Sequence, residues 1–345
     1  MSRQKLSLPT LYAENVLLEK DQVRILDRRV FPFSKEFVVC SDCEQVALAI
    51  EQMVTQSNGP FYAAGAGMVL AAREAEKATD PACRQALMEA AGARLVQTRP
   101  TNNNVATAVR QILAFAEEHA AGSGFAEACE KFVLEQWEAR RGQYRAVGRY
   151  ANSLIADGER ILTHCWSEGA LLETLIAARE DGKHIELLCT ETRPYLQGAR
   201  LTAHSVAEMG IDATVITDGM VAHAMASGRV GMLMTAADRV TMSGHVINKV
   251  GTLHAAIAAR HFKLPYFATV MRPDAKAPDP STVPIEERDG EESLHCLGIR
   301  TASPLAKGWY PAFDVTPPEL VSGIITEHGI FPAAALSQTF PVQDR

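Results

Sequence analysis

The stretch GMLMTAADRVTMSGHVINKVGT, residues 231–252, decides the predicted fold. Residues 231–235 form a short apolar run typical of a buried strand, and polar residues follow from Asp238. A helix is predicted over residues 248–261, which places Asn248 and Lys249 at its beginning. A carboxylate just beyond a buried strand, with an amide and a cation a few residues later, suits a charged small molecule as ligand.

The same strand-then-helix pattern recurs through the second half of the chain. Short apolar strands are predicted at residues 160–164, 185–190, 213–217, 231–235 and 266–270, and helices at 169–181, 198–209, 220–227 and 248–261. This alternation is typical of an α/β fold with a parallel sheet covered on both faces. Ligands bind beyond the carboxyl ends of the strands in such sheets. That rule nominates the polar residues directly after four strands: Cys165, Glu191, Asp218 and Asp238.

The first part of the chain has a different pattern. Strands are predicted at residues 23–26 and 37–40, and helices at 44–56, 68–78, 80–95, 105–121 and 125–147. We therefore predict a smaller, mainly helical N-terminal domain over residues 1–148 and a Rossmann-like, doubly wound domain over residues 149–345. Residues 272–318 are long, proline-rich and weakly periodic, and their charged part at 285–293 is either the rim of a lid or a solvated loop.

Composition limits the classes of partner. Apolar residues make up 47% of the 345 residues, and the net charge is −7, which argues against nucleic acid or an anionic membrane as a bulk partner. We find no signal peptide and no run of the ~18 apolar residues that a membrane helix needs. Seven scattered cysteines without an export signal lead us to expect a reduced, cytoplasmic protein.

Other kinds of chemistry are not favoured. Cys40 and Cys43 form a CxxC pair, but no second pair follows, so we interpret them as two structural thiols. The ten histidines show no paired-ligand spacing, and the motifs of phosphate loops and dinucleotide-binding turns are missing from the sequence. We expect neither a catalytic metal nor a cofactor.

Cys165 and Asp238 are the candidates for catalysis. Cys165 stands between a predicted strand and a predicted helix, where amides and the helix dipole lower the pKa of a thiol. It is a nucleophile, a proton-transfer base or a structural thiol. His164 is disfavoured as its ion-pair partner because adjacent strand residues point to opposite faces, whereas Trp166 would shield the thiol from water. Asp238 is a general acid or base, a helix cap, or an ion-pair partner of Arg239.

Further positions suit a phosphate group. Arg99, within TRPTNNN at 98–104, is suited to a bidentate grip on phosphate, although a surface turn explains it as well. Gln197 precedes a predicted helix whose N-terminal amides suit an anion. Asn248 and Lys249, at the predicted beginning of the next helix, would add an amide donor and a cation.

Five motifs together carry a resemblance to a known family. They are THC at 163–165, ETRPYLQGAR at 191–200, ADRV at 237–240, NKVGT at 248–252 and PAFDVTP at 311–317. With them the chain resembles the methylthioribose-1-phosphate isomerases. These share a fold with archaeal ribose-1,5-bisphosphate isomerases and with the regulatory subunits of eukaryotic initiation factor 2B. The resemblance extends over nearly the whole chain, and ETRPYLQGARLTA is its most specific string.

The resemblance implies roles for particular residues. It makes Cys165 and Asp238 catalytic, and it makes a sugar phosphate the ligand of four further residues: Arg99, Gln197, Asn248 and Lys249. It also implies a homodimer formed through the C-terminal domain. The expected reaction converts a 5-substituted ribose 1-phosphate to the ribulose 1-phosphate, with methylthio, deoxy or phosphate as the substituent. A non-catalytic, initiation-factor-like sensor of sugar phosphates is the alternative from another class.

The chain departs from the family at three places. Where the isomerases have an Arg-Gly-Ala-Pro stretch with a substrate-binding arginine, this chain has Ser57, Asn58 and Gly59 followed by proline. Trp166 replaces an asparagine after the catalytic cysteine, and His245 replaces an aspartate before the Asn-Lys pair. Loss of one charged hydrogen bond costs ~1.5–3 kcal/mol, so the substrate's 5-substituent stays open.

Overall fold

The computed structural model describes residues 8–99 and 103–341. Within these ranges the chain divides into two compact units, Thr10–Arg141 and the part that runs from Gly142 onward. The division falls inside one long helix. The domain boundary predicted at residues 148 and 149 stays a prediction.

The N-terminal unit combines an antiparallel sheet with helices around an apolar core. Its strands, in spatial order, are β1 (Val16–Leu18), β2 (Val23–Leu26) and β3 (Phe37–Cys40). Its helices are α1 (Thr10–Ala13), α2 (Cys43–Glu51), α3 (Gly59–Ala75), α4 (Pro81–Gln97), α5 (Asn103–His119) and α6 (Phe125–Asn152), the last of which continues into the next unit. A Cβ on Gly65 would lie 2.9 Å from the indole nitrogen of Trp137, so a glycine allows α3 to pack closely on α6.

The C-terminal unit alternates strands and helices. Its strands are β4 (Glu159–Thr163), β5 (Ile185–Thr190), β6 (Asp212–Ile216), β7 (Met232–Ala236), β8 (Arg239–Val240), β9 (Val246–Lys249), β10 (Tyr266–Thr269), β11 (Glu287–Arg288), β12 (His295–Cys296), β13 (Ile299–Arg300), β14 (Tyr310–Pro311), β15 (Phe313–Thr316), β16 (Gly323–Thr326) and β17 (Gly329–Phe331). Its helices are α7 (Glu168–Glu180), α8 (Ala203–Glu208), α9 (Val221–Ala226), α10 (Thr252–His261), α11 (Glu291–Leu294) and α12 (Leu336–Thr339). Among the residues that the structure describes, no helix is long and apolar enough to cross a membrane.

The main sheet has seven strands in the order β17-β16-β10-β7-β4-β5-β6. All neighbours are parallel except β16 and β17, so the predicted α/β class is confirmed and the sheet is mixed rather than wholly parallel. From β4 the chain proceeds outward to β5 and β6, and then returns to place β7 on the other side of β4. This reversal creates a topological switch point between β4 and β7, where ligands bind in doubly wound sheets. Cys165 and Asp238 each stand two residues beyond one of these strands.

A second, three-stranded antiparallel sheet has the order β15-β9-β8. It shows that one prediction is wrong: Asn248 and Lys249 end strand β9, and helix α10 begins only at Thr252. The partner of Lys249 in this sheet is Phe313, far along the chain, so local periodicity could not reveal the pairing. Gly251, with φ of +106°, makes the turn between strand and helix.

Candidate active site

Cys165 has a left-handed backbone conformation, with φ of +68°. Residues other than glycine rarely adopt this conformation, which costs ~1–3 kcal/mol. Two threonine hydroxyls hold the cysteine in place. Its amide donates to Oγ1 of Thr192 at 2.9 Å, and Oγ1 of Thr202 donates to its carbonyl at 2.6 Å. The loop after β5 and the helical turn before α8 therefore fix this residue together.

The thiol of Cys165 is a weaker acid than the sequence predicted. Burial raises its pKa, and the charges of Asp238 and Asp218 raise it further, whereas Lys249 and the amide of Trp166 lower it. The expectation that the helix terminus lowers this pKa is therefore wrong, because the loss of hydration outweighs the favourable charges. At neutral pH the thiol is mainly protonated.

His164 supports the backbone of the site. Its buried ring lies with Nδ1 2.7 Å from Oγ1 of Thr190 and with Nε2 2.9 Å from the carbonyl of Val250. A carbonyl only accepts, so Nε2 donates and Nδ1 accepts from the threonine. Burial lowers the pKa of the ring, which agrees with a neutral histidine that is not an ion-pair partner of Cys165. Glycine is required at Gly251 because a Cβ there would lie 2.8 Å from Cε1 of His164.

Asp238 lies between the main sheet and the three-stranded sheet. In the three-stranded sheet, Arg239 of β8 pairs with Ile247 of the antiparallel strand β9. Continuing this register by one residue places Asp238 opposite Asn248. It precedes a strand and not a helix, which excludes the helix-cap interpretation. Arg239 pairs with Asp274, with 3.4 Å between Nε and Oδ2. The register thus brings two predicted site residues together across the hairpin of β8 and β9.

The carboxyl of Asp238 is tuned by its surroundings. Its side chain is open to solvent, yet the surrounding protein excludes enough water for burial to raise its pKa. Arg239 and Lys249 lower the pKa, and Glu286 raises it again. Lys249 therefore acts electrostatically on both Cys165 and Asp238, which shows that the three residues share one region of the C-terminal unit. The influence of Glu286 also favours the rim interpretation for the charged segment at 285–293.

Lys249 is a buried cation among aromatic rings. Its Nζ donates to the hydroxyl of Tyr310 at 3.0 Å and lies 5.3 and 5.0 Å from the ring centres of Tyr310 and Phe313. Its neighbour Asn248 is also buried, and the amide Nδ2 donates to Oγ1 of Thr252 at 3.0 Å. Both side chains are thus fixed before a ligand arrives.

Gln197 stands at the beginning of the helical turn Gly198–Thr202, as predicted. The turn packs against the end of β5 so closely that a Cβ on Gly198 would lie 1.8 Å from the carbonyl oxygen of Thr190. Gln197 is buried, and its Oε1 has no hydrogen-bond partner among residues 8–99 and 103–341. A buried amide oxygen without a partner is costly, so it is available to a ligand hydroxyl.

The other strand-end carboxylates have supporting positions. Asp218 accepts from the amides of Thr192 and Arg193 at 2.8 and 2.7 Å, which holds the loop after β5. Burial raises the pKa of Glu191, and the charge of Asp218 raises it further. Asp218 therefore shapes the loop that in turn holds Cys165.

In the N-terminal unit the predicted substrate-binding turn precedes helix α3. Ser57 has a left-handed backbone, with φ of +56°. Asn58 is the N-cap of α3, and its Oδ1 accepts from the guanidinium of Arg140 at 2.7 Å. Gly59 is required because a Cβ there would lie 1.7 Å from Oγ1 of Thr55. The turn is therefore a tightly packed structure, and its role in binding stays a prediction.

Arg99 follows helix α4 in the same unit. Its guanidinium contacts the sulfur of Met53, which lies four residues before Ser57. The structure therefore places Arg99 against the segment that precedes the turn containing Ser57. Residues 100–102 of the predicted phosphate-binding motif at 98–104 lie outside the described residues.

Two of the departures from the family pattern, Trp166 and His245, lie in the C-terminal unit. Trp166 is buried, and its indole nitrogen has no hydrogen-bond partner within the described part of the chain. His245 lies in the hairpin between β8 and β9, with Nδ1 3.0 Å from Oγ of Ser243.

The CxxC pair behaves as structural thiols. Burial raises the pKa of Cys40 to about 11 and that of Cys43 to about 12. A redox-active cysteine needs a lowered pKa. The structural interpretation is therefore supported.

Sequence analysis missed Asp314 and Tyr310. Oδ2 of Asp314 accepts from the amides of Gly251 and Leu253 at 2.7 and 3.1 Å, so it caps α10 beside the Lys249 turn. Burial raises its pKa to about 6. The PAFDVTP motif was a signal for Asp314, whereas nothing in the local sequence connected Tyr310 with Lys249.

Comparison with known proteins gives concordant results. A family model described as "Initiation factor 2 subunit family" matches residues 59–333. The methylthioribose-1-phosphate isomerase of Thermosipho melanesiensis is 37% identical over 90% of this chain and 92% of its own. The crystal structure of 5-methylthioribose 1-phosphate isomerase from Pyrococcus horikoshii OT3 has a TM-score of 0.85 and 31% identity, covering 96% of this chain and 97% of its own. The translation initiation factor eIF-2B subunit delta from A. fulgidus has a TM-score of 0.81 and 30% identity, covering 94% and 96%.

Proposed function

Because the chain belongs to the initiation factor 2 subunit family and, within it, to the methylthioribose-1-phosphate isomerases, we propose that it converts a 5-substituted ribose 1-phosphate to the ribulose 1-phosphate. S-methyl-5-thioribose 1-phosphate is the proposed substrate. The observation that carries the proposal is the position of Cys165 and Asp238 after the two strands of the switch point, with Lys249 acting on both.

The reaction requires four changes at C1 and C2 of the sugar. The bond between C1 and the ring oxygen breaks, the ring oxygen gains a proton, the hydrogen on C2 moves to C1, and the C2 hydroxyl loses its proton. The product is a ketone at C2 with the phosphate still on C1. The two groups that move protons must lie close together, which the shared influence of Lys249 supports.

We assign the ring-oxygen or hydroxyl proton to Asp238, because its raised pKa suits proton transfer nearer neutral pH than that of an ordinary aspartate. We assign the hydrogen on C2 to Cys165, which acts as a base only after its thiol has lost its proton to water, a step that the positive charge of Lys249 favours. The thiolate takes the proton from C2 to give an enediolate-like intermediate and returns it to C1. The alternative is a direct hydride shift in which Cys165 polarises the substrate. In the C-terminal unit, the proposed ligands of the substrate's hydroxyls and phosphate are Gln197, Asn248 and Lys249. In the N-terminal unit, they are Arg99 and the turn formed by Ser57, Asn58 and Gly59.

A regulatory, sugar-phosphate-binding role is the second candidate, favoured by the similarity to the initiation factor subunit from A. fulgidus. A binding protein needs neither a cysteine held in a strained backbone nor a carboxyl of raised pKa. Both features are present here, which supports catalysis. The alternative substrates are 5-deoxyribose 1-phosphate and ribose 1,5-bisphosphate. A cytoplasmic homodimer is also part of the proposal.

The test is a panel of three substrates: methylthioribose 1-phosphate, 5-deoxyribose 1-phosphate and ribose 1,5-bisphosphate. The ketose product is followed by NMR, and the methylthio compound is expected to react fastest. The same assay with deuterium on C2 separates the two mechanisms, since proton transfer releases deuterium to water and a hydride shift retains it on C1. If none of the three compounds is turned over, the isomerase proposal is wrong.

A further inference from the structure

No step of the proposed reaction uses the carboxyl of Asp314, which lies on β15 beside residues that the reaction does use. The pairing of β15 with β9 places Asp314 directly opposite Asn248, next to Lys249. Facing residues in neighbouring strands point their side chains to the same side of a sheet. Asp314 is thus aligned with a proposed substrate ligand, although its own hydrogen bonds go elsewhere.

The hydrogen bonds of Asp314 go to the turn that joins β9 to α10. Its Oδ2 accepts from the amides of Gly251 and Leu253 at 2.7 and 3.1 Å. Gly251 occupies the N-cap position of α10 and has no side chain with which to cap the helix. A side chain is excluded there because its Cβ would lie 2.8 Å from Cε1 of His164. Asp314, 63 residues further along the chain, therefore supplies the acceptor that an N-cap residue usually provides.

The same turn contacts the segment that carries Cys165. The carbonyl of Val250 accepts from Nε2 of His164 at 2.9 Å, and Gly251 packs against the same ring. His164 directly precedes Cys165. A displacement of the turn would therefore be transmitted to the backbone that holds the thiol.

The turn also determines where Lys249 lies relative to the thiol. Lys249 directly precedes the turn, and its charge lowers the pKa of Cys165. Burial raises the pKa of Asp314 to about 6, so its carboxyl is mainly ionised at neutral pH. An ionised carboxylate is a strong acceptor for two amides at a helix N-terminus. The turn is thus held by Asp314 on one side and by His164 on the other.

We propose that Asp314 is a positioning residue, whose carboxylate holds the turn after Lys249 against His164. In this place the turn keeps the ammonium group of Lys249 within electrostatic reach of Cys165. The position of the acceptor oxygen, and not the negative charge, is the property that matters. The expected effect on kinetic constants rests on the proposed isomerase function, which this inference deepens, whereas the expected effect on the reactivity of the thiol does not.

Two substitutions in the full chain separate position from charge. Asp314→Asn keeps an acceptor oxygen at the same distance and removes the charge, whereas Asp314→Glu keeps the charge and displaces the acceptor by one methylene. The thiolate, and not the thiol, reacts with iodoacetamide. The rate of alkylation of Cys165 as a function of pH, followed by mass spectrometry of its peptide, therefore measures the pKa of this thiol. Cys165 is partly exposed and hence accessible to the reagent.

At neutral pH, alkylation of Cys165 is expected to be slower by roughly threefold or more in Asp314→Glu, because Lys249 moves away and the pKa of the thiol rises. In Asp314→Asn the rate is expected to stay within about twofold of the wild type. If the charge were what mattered, the loss of an anion would speed alkylation in Asp314→Asn and leave Asp314→Glu unchanged. That result, wild-type rates in both variants, or equal slowing in both overturns the proposal.

Steady-state kinetics with methylthioribose 1-phosphate give the second measurement. Asp314→Glu is expected to lower kcat and raise KM together, with kcat/KM lower by roughly 10- to 100-fold, because Cys165 and Lys249 both lose their positions. Asp314→Asn is expected to stay within about threefold of the wild type. Wild-type constants in Asp314→Glu would contradict the proposal. If the wild-type chain does not turn over the substrate, the proposed function is wrong, and the alkylation rates still decide the role of Asp314.

Asp80→Ala is the matched control for a loss of stability. Oδ1 of Asp80 accepts from the amide of Ala82 at 3.0 Å and caps α4 in the other unit. Loss of this cap is expected to lower Tm by roughly 2–4 °C and to leave both the alkylation of Cys165 and the kinetic constants unchanged. Slower alkylation in Asp80→Ala, equal to that in Asp314→Glu, would reduce the effect to general stability and overturn the proposal.

Discussion

The two units present their predicted site residues in different ways. In the C-terminal unit, Cys165 and Asp238 follow strands of the main sheet, and their surroundings perturb the pKa of both. In the N-terminal unit, Ser57 lies in a packed turn and contributes a hydroxyl. Arg99 follows the end of helix α4 and contributes a guanidinium. The proposed role of the first set is to move protons, and the proposed role of the second is to hold the substrate.

The proposed roles of the two sets predict different kinetic effects. Residues that move protons affect the chemical step and hence kcat, and residues that hold the substrate equally well in all states affect KM. We therefore expect substitutions at the site residues of the C-terminal unit to change mainly kcat, and those at the site residues of the N-terminal unit to change mainly KM.

The largest effect is expected for Cys165→Ser. A serine hydroxyl fits the same backbone but is a far weaker acid than a thiol, so kcat is expected to fall at least ~100-fold, the usual contribution of a positioned acid or base. Cys83→Ser is the control because Cys83 is exposed in the other unit. A kcat of Cys165→Ser close to that of the wild type would remove this residue from the mechanism and end the contrast between the units.

Asp238→Asn is expected to have a similar effect on kcat and a distinct effect on its pH dependence. Burial raises the pKa of Asp238, so the protonated carboxyl persists to higher pH than in an ordinary aspartate. If it donates the proton to the ring oxygen, activity falls as pH rises through this pKa, and the asparagine variant lacks that fall. Asp212→Asn, at an exposed edge position, should retain the wild-type profile, and an identical profile in Asp238→Asn would contradict the assignment.

Arg99→Ala is expected to give the smallest of the three effects, mainly on KM. Loss of one charged hydrogen bond costs ~1.5–3 kcal/mol, which corresponds to a KM higher by roughly 10- to 150-fold. Steady-state kinetics with Arg110→Ala as control, an exposed arginine on α5, measures this. A fall in kcat as large as that of Cys165→Ser, with KM unchanged, would break the division between the units.

Local sequence patterns predicted the strands, and through them Cys165 and Asp238, because an apolar run and its polar end are properties of neighbouring residues. They failed at Asn248 and Lys249, because strand β9 is defined by its pairing with β15 far along the chain. For the same reason they missed Tyr310 and Asp314. The residues of the N-terminal turn came from the resemblance alone, since a helix start with a serine and a glycine is common.

The left-handed backbone of Cys165 has a consequence for how the sequence can change. At φ of +68° any side chain makes the folded state less stable than glycine would, because glycine alone has no Cβ to strain. Selection for stability alone therefore favours glycine at this position, whereas the proposed catalytic use of the thiol favours cysteine. A copy of the gene released from that need would be expected to lose this cysteine early, so the residue at position 165 would record whether the chain is still in use as a catalyst.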